Sequence, residues 1–117
     1  MIQTLIDLLK TLDLNVYQQG SFTKTEDYDD HFFTFWNDDS YGTRFYDNKE
    51  IRTGWRFTIY YYATDPAVCL DMILKAKDLL IKNGWIVSGK GRDIASDSEY
   101  HSGRMIEIYF IEKNKEV

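Results

Sequence analysis

The sequence of 117 residues predicts an α+β fold with a mostly antiparallel sheet and two helices packed on one face. Apolar residues recur at helical spacing near the start of the chain and again after residue 66. The remaining apolar runs are aromatic and β-branched, which is typical of strands. These strands follow one another instead of alternating with helices, so the predicted order is helix, strands, helix, hairpin. At this length a single domain covering residues 1–117 is expected.

An amphipathic helix of about three turns is predicted at the start of the chain. Its apolar residues are Ile2, Leu5, Ile6, Leu9 and Leu12. The polar residues of the segment 13–15 end the pattern. The helix therefore has one apolar side that can pack against a sheet.

Short strands separated by polar segments are predicted next. Residues 16–22 are compatible with a first strand, and residues 23–30 form a polar, acidic loop. The aromatic run at residues 32–36 predicts a second strand, and residues 41–46 predict a short third one. Between these two strands the sequence Asn-Asp-Asp-Ser at residues 37–40 predicts a turn.

The strand at residues 55–63 is apolar on both faces. One face carries Trp55, Phe57, Ile59 and Tyr61, and the other carries Arg56, Thr58, Tyr60 and Tyr62. The last strand is similar, with Ile106, Ile108 and Phe110 opposite Met105, Glu107, Tyr109 and Ile111. A strand with one solvated face would show a polar second face.

A neighbouring subunit or a partner is the simplest cover for such a second face. We therefore predict a subunit interface at Tyr60, Tyr62, Tyr109 and Ile111. The alternative is that amphipathic tyrosines lie at a wet sheet surface with their rings half covered.

The second helix has clear start and stop signals. Asp65 can cap its N-terminus, and Pro66 suits the first helical position. Gly84 suits the left-handed position that ends a helix. The residues expected on its buried side, facing Trp55, Phe57 and Ile59, are Val68, Cys69, Met72, Ile73, Ala76 and Leu80.

A hairpin with a long connection is predicted after this helix. Residues 85–88 and 104–112 are its strands, and residues 89–103 join them. A connection of this length without structure is usually functional or disordered, so we expect it to be mobile in the free subunit and ordered on docking. The docking residues predicted here are Lys90, Arg92, Asp93, Glu99 and His101.

The charge and cysteine content narrow the function classes. A formal net charge of −5 makes free nucleic acid and anionic membranes poor partners. Cys69 is the single cysteine, so an intrachain disulfide is impossible and a reducing compartment is expected. The first residues lack the basic region of a signal peptide, and no apolar run is long enough to span a bilayer.

Enzyme chemistry has little support in the sequence. The acidic segment from Glu26 to His31 could hold a divalent metal, but it lacks the glycine and the distal glutamate of an EF-hand loop. A solvated acidic loop is the preferred interpretation. No nucleophile–histidine pattern is legible, and Cys69 is expected to be a buried thiol in the second helix. We predict no catalytic residue, no metal and no cofactor.

Residues 51–112 carry a layout that resembles a known family. The strand with its helix start reads Trp-Arg-Phe-Thr-Ile-Tyr-Tyr-Tyr-Ala-Thr-Asp-Pro, and the helix ends with Leu-Ile-Lys-Asn-Gly-Trp at residues 80–85. A Gly-Lys-Gly-Arg-Asp turn at residues 89–93, a polar segment at residues 96–101 and a final strand at residues 106–111 follow. This pattern resembles the tail-terminator, or tail-completion, proteins of long-tailed bacteriophages.

The resemblance implies a virion structural protein and not an enzyme. Such proteins are α+β subunits that form a ring, typically a hexamer, at the head-proximal end of the tail tube. The implied partners are further copies of the chain, the tail-tube protein and a head-completion or neck protein. DNA would only pass through the lumen, and no membrane is involved. The implied location is the virion tail, with the host cytoplasm as the place of assembly.

Three other functions stay open on the sequence. The first is a small enzyme with a metal bound by the segment from Glu26 to His31. The second is another phage neck or tail assembly protein of similar layout. The third is a protein-binding module that pairs through its strand edges.

Overall fold

The computed structural model describes residues 1–18, 30–46, 49–95 and 101–113, with the backbone alone at residues 39, 41–46 and 49–51. Its elements are α1 (Ile2–Lys10), β1 (Val16–Gln18), β2 (His31–Tyr46), β3 (Lys49–Ala63), α2 (Pro66–Lys82), β4 (Ile86–Val87), β5 (Arg92–Ile94) and β6 (Ser102–Lys113). The strands form a six-stranded sheet in the order β1-β2-β3-β6-β4, and β5 also pairs with β6. Only the β1–β2 pair is parallel among these described strands. The predicted α+β class with a mostly antiparallel sheet is confirmed.

The early strands differ from the prediction in one respect. Residues 32–46 do not form two strands with a turn between them, because β2 is continuous from His31 to Tyr46. The register with β3 shifts between Asn37 and Asp39, which marks a β-bulge at Asp38. Asp38 accepts a hydrogen bond of 2.5 Å from the Thr58 hydroxyl. The polar residues that predicted a turn are therefore accommodated by one extra residue in the strand.

The hairpin of β2 and β3 sets the long dimension of the molecule. A strand of 16 residues spans about 50 Å at about 3.3 Å per residue. The principal extents are 53 × 30 × 22 Å. Strand β1 covers Val16–Gln18, and the predicted continuation of this strand to residue 22 lies outside the described residues.

Helix α2 begins and ends as its sequence predicts. The Asp65 side chain accepts from the Ala67 backbone N–H at 2.9 Å, and Pro66 is the first helical residue. At the other end Gly84 has a φ of +88°. The Trp85 N–H donates to the Leu80 carbonyl at 2.9 Å, and the Gly84 N–H donates to the Ile81 carbonyl at 3.1 Å, which is a Schellman motif.

The buried core joins both helices and the central strands. Its members are Leu5, Leu9, Phe33, Phe35, Phe57, Ile59, Tyr61, Ala63, Cys69, Ile73, Ala76, Leu80, Trp85, Ile106 and Ile108. The strand residues in this set alternate along β2, β3 and β6, so they share one face of the sheet. We call the opposite face the second face.

One residue predicted for the buried side of α2 lies elsewhere. Val68 is 40% exposed, and Met72 is only partly buried at the edge of the core. The buried stripe is Cys69, Ile73, Ala76 and Leu80. Val68 precedes Cys69 by one position, which places it about 100° around the helix from that stripe.

Within the described part of the chain, no helix is long and apolar enough to cross a membrane.

Candidate functional site

The predicted interface residues all lie on the second face of the sheet. Tyr60 and Tyr62 belong to β3, and their rings stack with centroids 6.4 Å apart. Tyr109 and Ile111 belong to β6, where they pair with Arg56 and Gly54. The three tyrosines are half-buried, whereas Ile111 is 42% exposed. The second face therefore carries several apolar and aromatic groups, with the exposed Arg56 and Glu107 among them.

An aromatic cluster occupies one end of this face. Phe32 stacks on Tyr62 with ring centroids 5.2 Å apart, and Tyr17 meets Phe32 edge-on at 6.3 Å. His101, predicted as a docking residue, packs edge-on against Phe32 at 5.9 Å. Phe32 is buried, so this end of the face is already well covered within the chain.

The other end of the second face exposes large apolar side chains. Trp36 is 52% exposed. It pairs with Thr58 of β3, which in turn pairs with Glu107 of β6. Ile86 of β4 pairs with Tyr109 and is 55% exposed. We call the set Trp36, Ile86, Tyr109 and Ile111 the Trp36 patch, in which the exposed Arg56 and Glu107 lie between Trp36 and the other members. The sequence analysis did not identify Trp36 and Ile86, because it considered the two faces of only two predicted strands, the strand at residues 55–63 and the last strand.

The predicted docking loop is partly a strand. Arg92–Ile94 forms β5, so the expectation of a connection without structure is wrong for these residues. The Arg104 guanidinium donates to the carbonyls of Lys90 and Gly91 and to the Asp93 carboxylate, at distances of 2.9 to 3.2 Å. These hydrogen bonds hold the backbone at residues 90 and 91 and the Asp93 carboxylate beside β6, whereas the Arg92 Nε–H donates to the Met105 sulfur at 3.2 Å. Glu99 lies outside the described residues.

A buried polar cluster joins three distant parts of the chain. The Asp13 carboxylate accepts from the Tyr61 hydroxyl at 2.8 Å and from the Asn15 backbone N–H at 3.0 Å. Nδ1 of His31 lies 2.5 Å from the same carboxylate. Since a carboxylate oxygen accepts, Nδ1 of His31 is the donor in this contact. The Asn15 side chain in turn donates to the His31 carbonyl at 3.1 Å.

Tyr61 is held in its neutral form by this cluster. Burial raises the pKa of Tyr61 far above its usual value, and the hydrogen bond to Asp13 and its negative charge raise it further. The hydroxyl is therefore a permanent donor to Asp13 at ordinary pH. No sequence pattern predicts this cluster, because Asp13 is separated from His31 by 18 positions and from Tyr61 by 48.

An open pocket lies above the cluster. Its volume is about 500 Å³, and it is lined by Leu12, Asp13, Leu14, Asn15, His31, Tyr61, Val68 and Met72. We call it the Leu14 pocket, because Leu14 at its rim is 80% exposed, the largest exposure among the exposed large apolar side chains of the described residues. Its apolar lining with a few polar groups suits an apolar side chain that carries one hydrogen-bonding atom.

The metal and nucleophile hypotheses find no supporting geometry in the described residues. Of the segment from Glu26 to His31, only Asp30 and His31 are described, and His31 binds Asp13. No group of three potential metal ligands occurs in the part of the chain that the structure describes. The buried Cys69 thiol donates to the Ser102 carbonyl at 3.2 Å, and burial raises its pKa. A thiol in that state is a poor nucleophile.

Comparison with known proteins adds no family assignment. No protein-family model matches the chain. No curated protein sequence matches it either.

Proposed function

We propose that this chain is a virion structural protein, a ring-forming tail terminator of a long-tailed bacteriophage. In this role it ends the growth of the tail tube and provides the surface to which the head is joined. It acts without catalysis and without a cofactor. Its place is the tail of the virion, and the host cytoplasm during assembly.

The observation that carries the proposal is the Trp36 patch on the second face. Trp36, Ile86 and Ile111 are each between 42% and 55% exposed, and the half-buried Tyr109 lies among them. Large apolar side chains exposed on one face of a sheet are often part of a protein-binding surface. A subunit that shares this face with neighbouring copies would remove these groups from water.

The layered arrangement supports the same role. Leu5 and Leu9 of α1 and Ile73 and Leu80 of α2 belong to one core with the first face of the sheet. We take both helices to cover that face, which leaves the second face for assembly. The layout agrees with the ring subunits whose sequence pattern this chain resembles.

The proposed partners follow from the role. They are further copies of the chain in a ring, which we propose to be a hexamer, the tail-tube protein and a head-completion or neck protein. The exposed residues Lys90, Arg92 and Asp93 form the proposed docking segment together with His101 and Glu99, and Arg104 binds the Lys90 carbonyl and the Asp93 carboxylate. DNA passes through the lumen, and a net charge of −5 disfavours retention of its phosphates there. No membrane takes part.

Capping of tail tubes tests the proposal. Purified chain is added to polymerising tail-tube protein, and tube lengths are measured by negative-stain electron microscopy. We expect tubes that stop growing and carry a ring at one end. The double variant Ile86→Asp with Ile111→Asp should lose the ring, whereas Ile81→Asp, at a side chain 47% exposed on α2, should retain it. Tubes that grow without limit and carry no added protein would contradict the proposed function.

A further inference from the structure

Three basic residues occupy one register row across three neighbouring strands. Arg44 of β2 pairs with Arg52 of β3, and Arg52 pairs with Lys113 of β6. We call Arg44, Arg52 and Lys113 the cationic row. The chain has 14 Lys and Arg residues against 19 Asp and Glu residues, so this row departs from the overall charge of the chain. A concentration of positive charge on an acidic chain points to a local role.

The cationic row lies on the second face of the sheet. Arg52 and Thr58 are an even number of positions apart in β3, and the pairing with β6 shows no register shift between them, so both belong to that face. Residues directly opposite each other on paired strands share a face, with their Cβ atoms about 5 Å apart. Arg52 and Lys113 are both exposed. Two positive charges therefore lie side by side on this face.

This arrangement is unfavourable in the isolated chain. Like charges directly opposite each other on neighbouring strands destabilise a sheet. Among the side chains that the structure describes, neither Arg52 nor Lys113 takes part in an ion pair. The neighbouring Glu112 lies on the other face, where it accepts from the Trp55 indole N–H at 3.2 Å. An anion bound across Arg52 and Lys113 would offset their repulsion.

We propose that the cationic row binds an acidic segment of a partner protein, through carboxylates that pair with Arg52 and Lys113. The Arg52 guanidinium can bind a carboxylate through two parallel N–H groups, and the Lys113 ammonium adds a second positive charge. Ile111 precedes Lys113 on the same face of β6 and is 42% exposed, so it offers an apolar contact beside the carboxylates. The inference goes beyond the proposed function and does not depend on it.

The charges outside the row favour a short acidic segment over a nucleic acid or a membrane. Glu107 pairs with Thr58 on the second face, and the exposed Asp38 accepts from the Thr58 hydroxyl. Thr58 lies about 20 Å along β3 from Arg52, at about 3.3 Å per residue. A long polyanion or a flat anionic surface would meet these carboxylates and the net charge of −5. A short acidic segment covers the row alone.

Fluorescence anisotropy of the full chain with labelled peptides tests the site. The probe is a short polyglutamate peptide with a central leucine, and the control peptide has glutamine in place of each glutamate. We expect the glutamate peptide to bind and the glutamine peptide not to bind. Binding should weaken as the NaCl concentration rises, because exposed charges are screened over about 10 Å at roughly 0.1 M salt.

A matched pair of double variants locates the binding. Arg52→Gln with Lys113→Gln removes two charges of the row and should weaken binding of the glutamate peptide about tenfold. Lys75→Gln with Lys82→Gln removes two exposed lysines of α2 and should bind like the wild type. Both double variants change the net charge equally, so a difference between them reports the row and not the long-range field of the chain.

Unfolding gives a second measurement that needs no ligand. Because Arg52 and Lys113 repel each other, the chain with Arg52→Gln and Lys113→Gln should unfold at a higher urea concentration than the wild type in low salt. The difference should shrink in high salt. A lower midpoint for this variant would show that the two residues stabilise the fold, and it would overturn the inference.

Three results of the binding experiment would also overturn it. They are equal binding of the glutamate and glutamine peptides, and binding of the glutamate peptide that Arg52→Gln with Lys113→Gln leaves unchanged. The third is a single-stranded oligonucleotide that binds more tightly than the glutamate peptide at the same salt concentration.

Discussion

Gly91 lies so close to a neighbouring strand that no side chain fits there. Its φ is +76°, and a Cβ would lie 2.1 Å from the Met105 carbonyl oxygen. Gly89 in the same turn has a φ of +74°, but a Cβ there would have no atom within 4 Å. The two glycines thus share a left-handed backbone and differ only in the space around them.

This difference gives a matched pair of substitutions. Gly89→Ala should lower the free energy of unfolding by about 1–2 kcal/mol, because it strains the backbone alone. Gly91→Ala should cost at least about 3 kcal/mol, since the backbone of β6 must also move. Chemical denaturation measures both values. Equal losses at the two positions would show that β5 is not held against β6 as described.

The Tyr61 hydroxyl gives a pH prediction. Its pKa in the folded chain is raised by burial and by Asp13, so the folded state keeps the proton after the unfolded state loses it near pH 10. Its contribution is therefore complete below pH 10 and falls as the pH rises above that value, by up to about 1.4 kcal/mol per pH unit.

Tyr61→Phe should be less stable than the wild type at pH 7 and should lose less stability than the wild type above pH 10. Denaturation curves from pH 7 to alkaline pH measure the difference. Tyr60→Phe is the control, because it removes a hydroxyl from the opposite face of the same strand. If the curves of the wild type and Tyr61→Phe stay parallel across this range, the hydroxyl is not buried against Asp13.

Among the elements, α2 was the most predictable because its signals are local. Asp65, Pro66 and Gly84 each act within one turn of the helix, and the structure uses all three as caps. The bulge in β2 was not predictable, since residues 37–40 have turn propensities that the pairing with β3 overrides. The Asp13 cluster and the Leu14 pocket depend on contacts between distant segments, which periodicity and spacing do not report.

The buried stripe of α2 gives a prediction for that element. Ile73→Ala should cost about 2–5 kcal/mol, because Ile73 is fully buried and its removal leaves a cavity in the core. Val68→Ala should cost less than about 1 kcal/mol, since its side chain is 40% exposed. Urea denaturation compares the two variants. A midpoint unchanged by Ile73→Ala would contradict the placement of this stripe.

For the whole molecule, the proposed assembly surface lies on the face of the sheet opposite the core. The core lies on the first face, and Tyr60 and Tyr62 lie half-buried on the second. Changing both tyrosines to Ser should leave a folded monomer with weaker self-association, because the substitutions remove two large aromatic side chains from the second face.

Sedimentation of the Tyr60→Ser, Tyr62→Ser chain at high concentration measures this effect. The matched control is the pair Tyr60→Phe and Tyr62→Phe, which keeps the stacked rings and should assemble normally. Wild-type assembly that survives the serine pair unchanged would exclude these tyrosines from the interface.

The buried Cys69 thiol can serve as a probe of local opening in the folded chain. The thiol is 1% exposed, is protonated by its burial and donates to a carbonyl of β6. Because the thiol is almost fully buried, the rate at which a thiol reagent labels it measures how often this region opens. Because Cys69 is the single cysteine, no other thiol obscures that signal. Labelling the chain alone and in the ring that we propose would show whether assembly slows this opening.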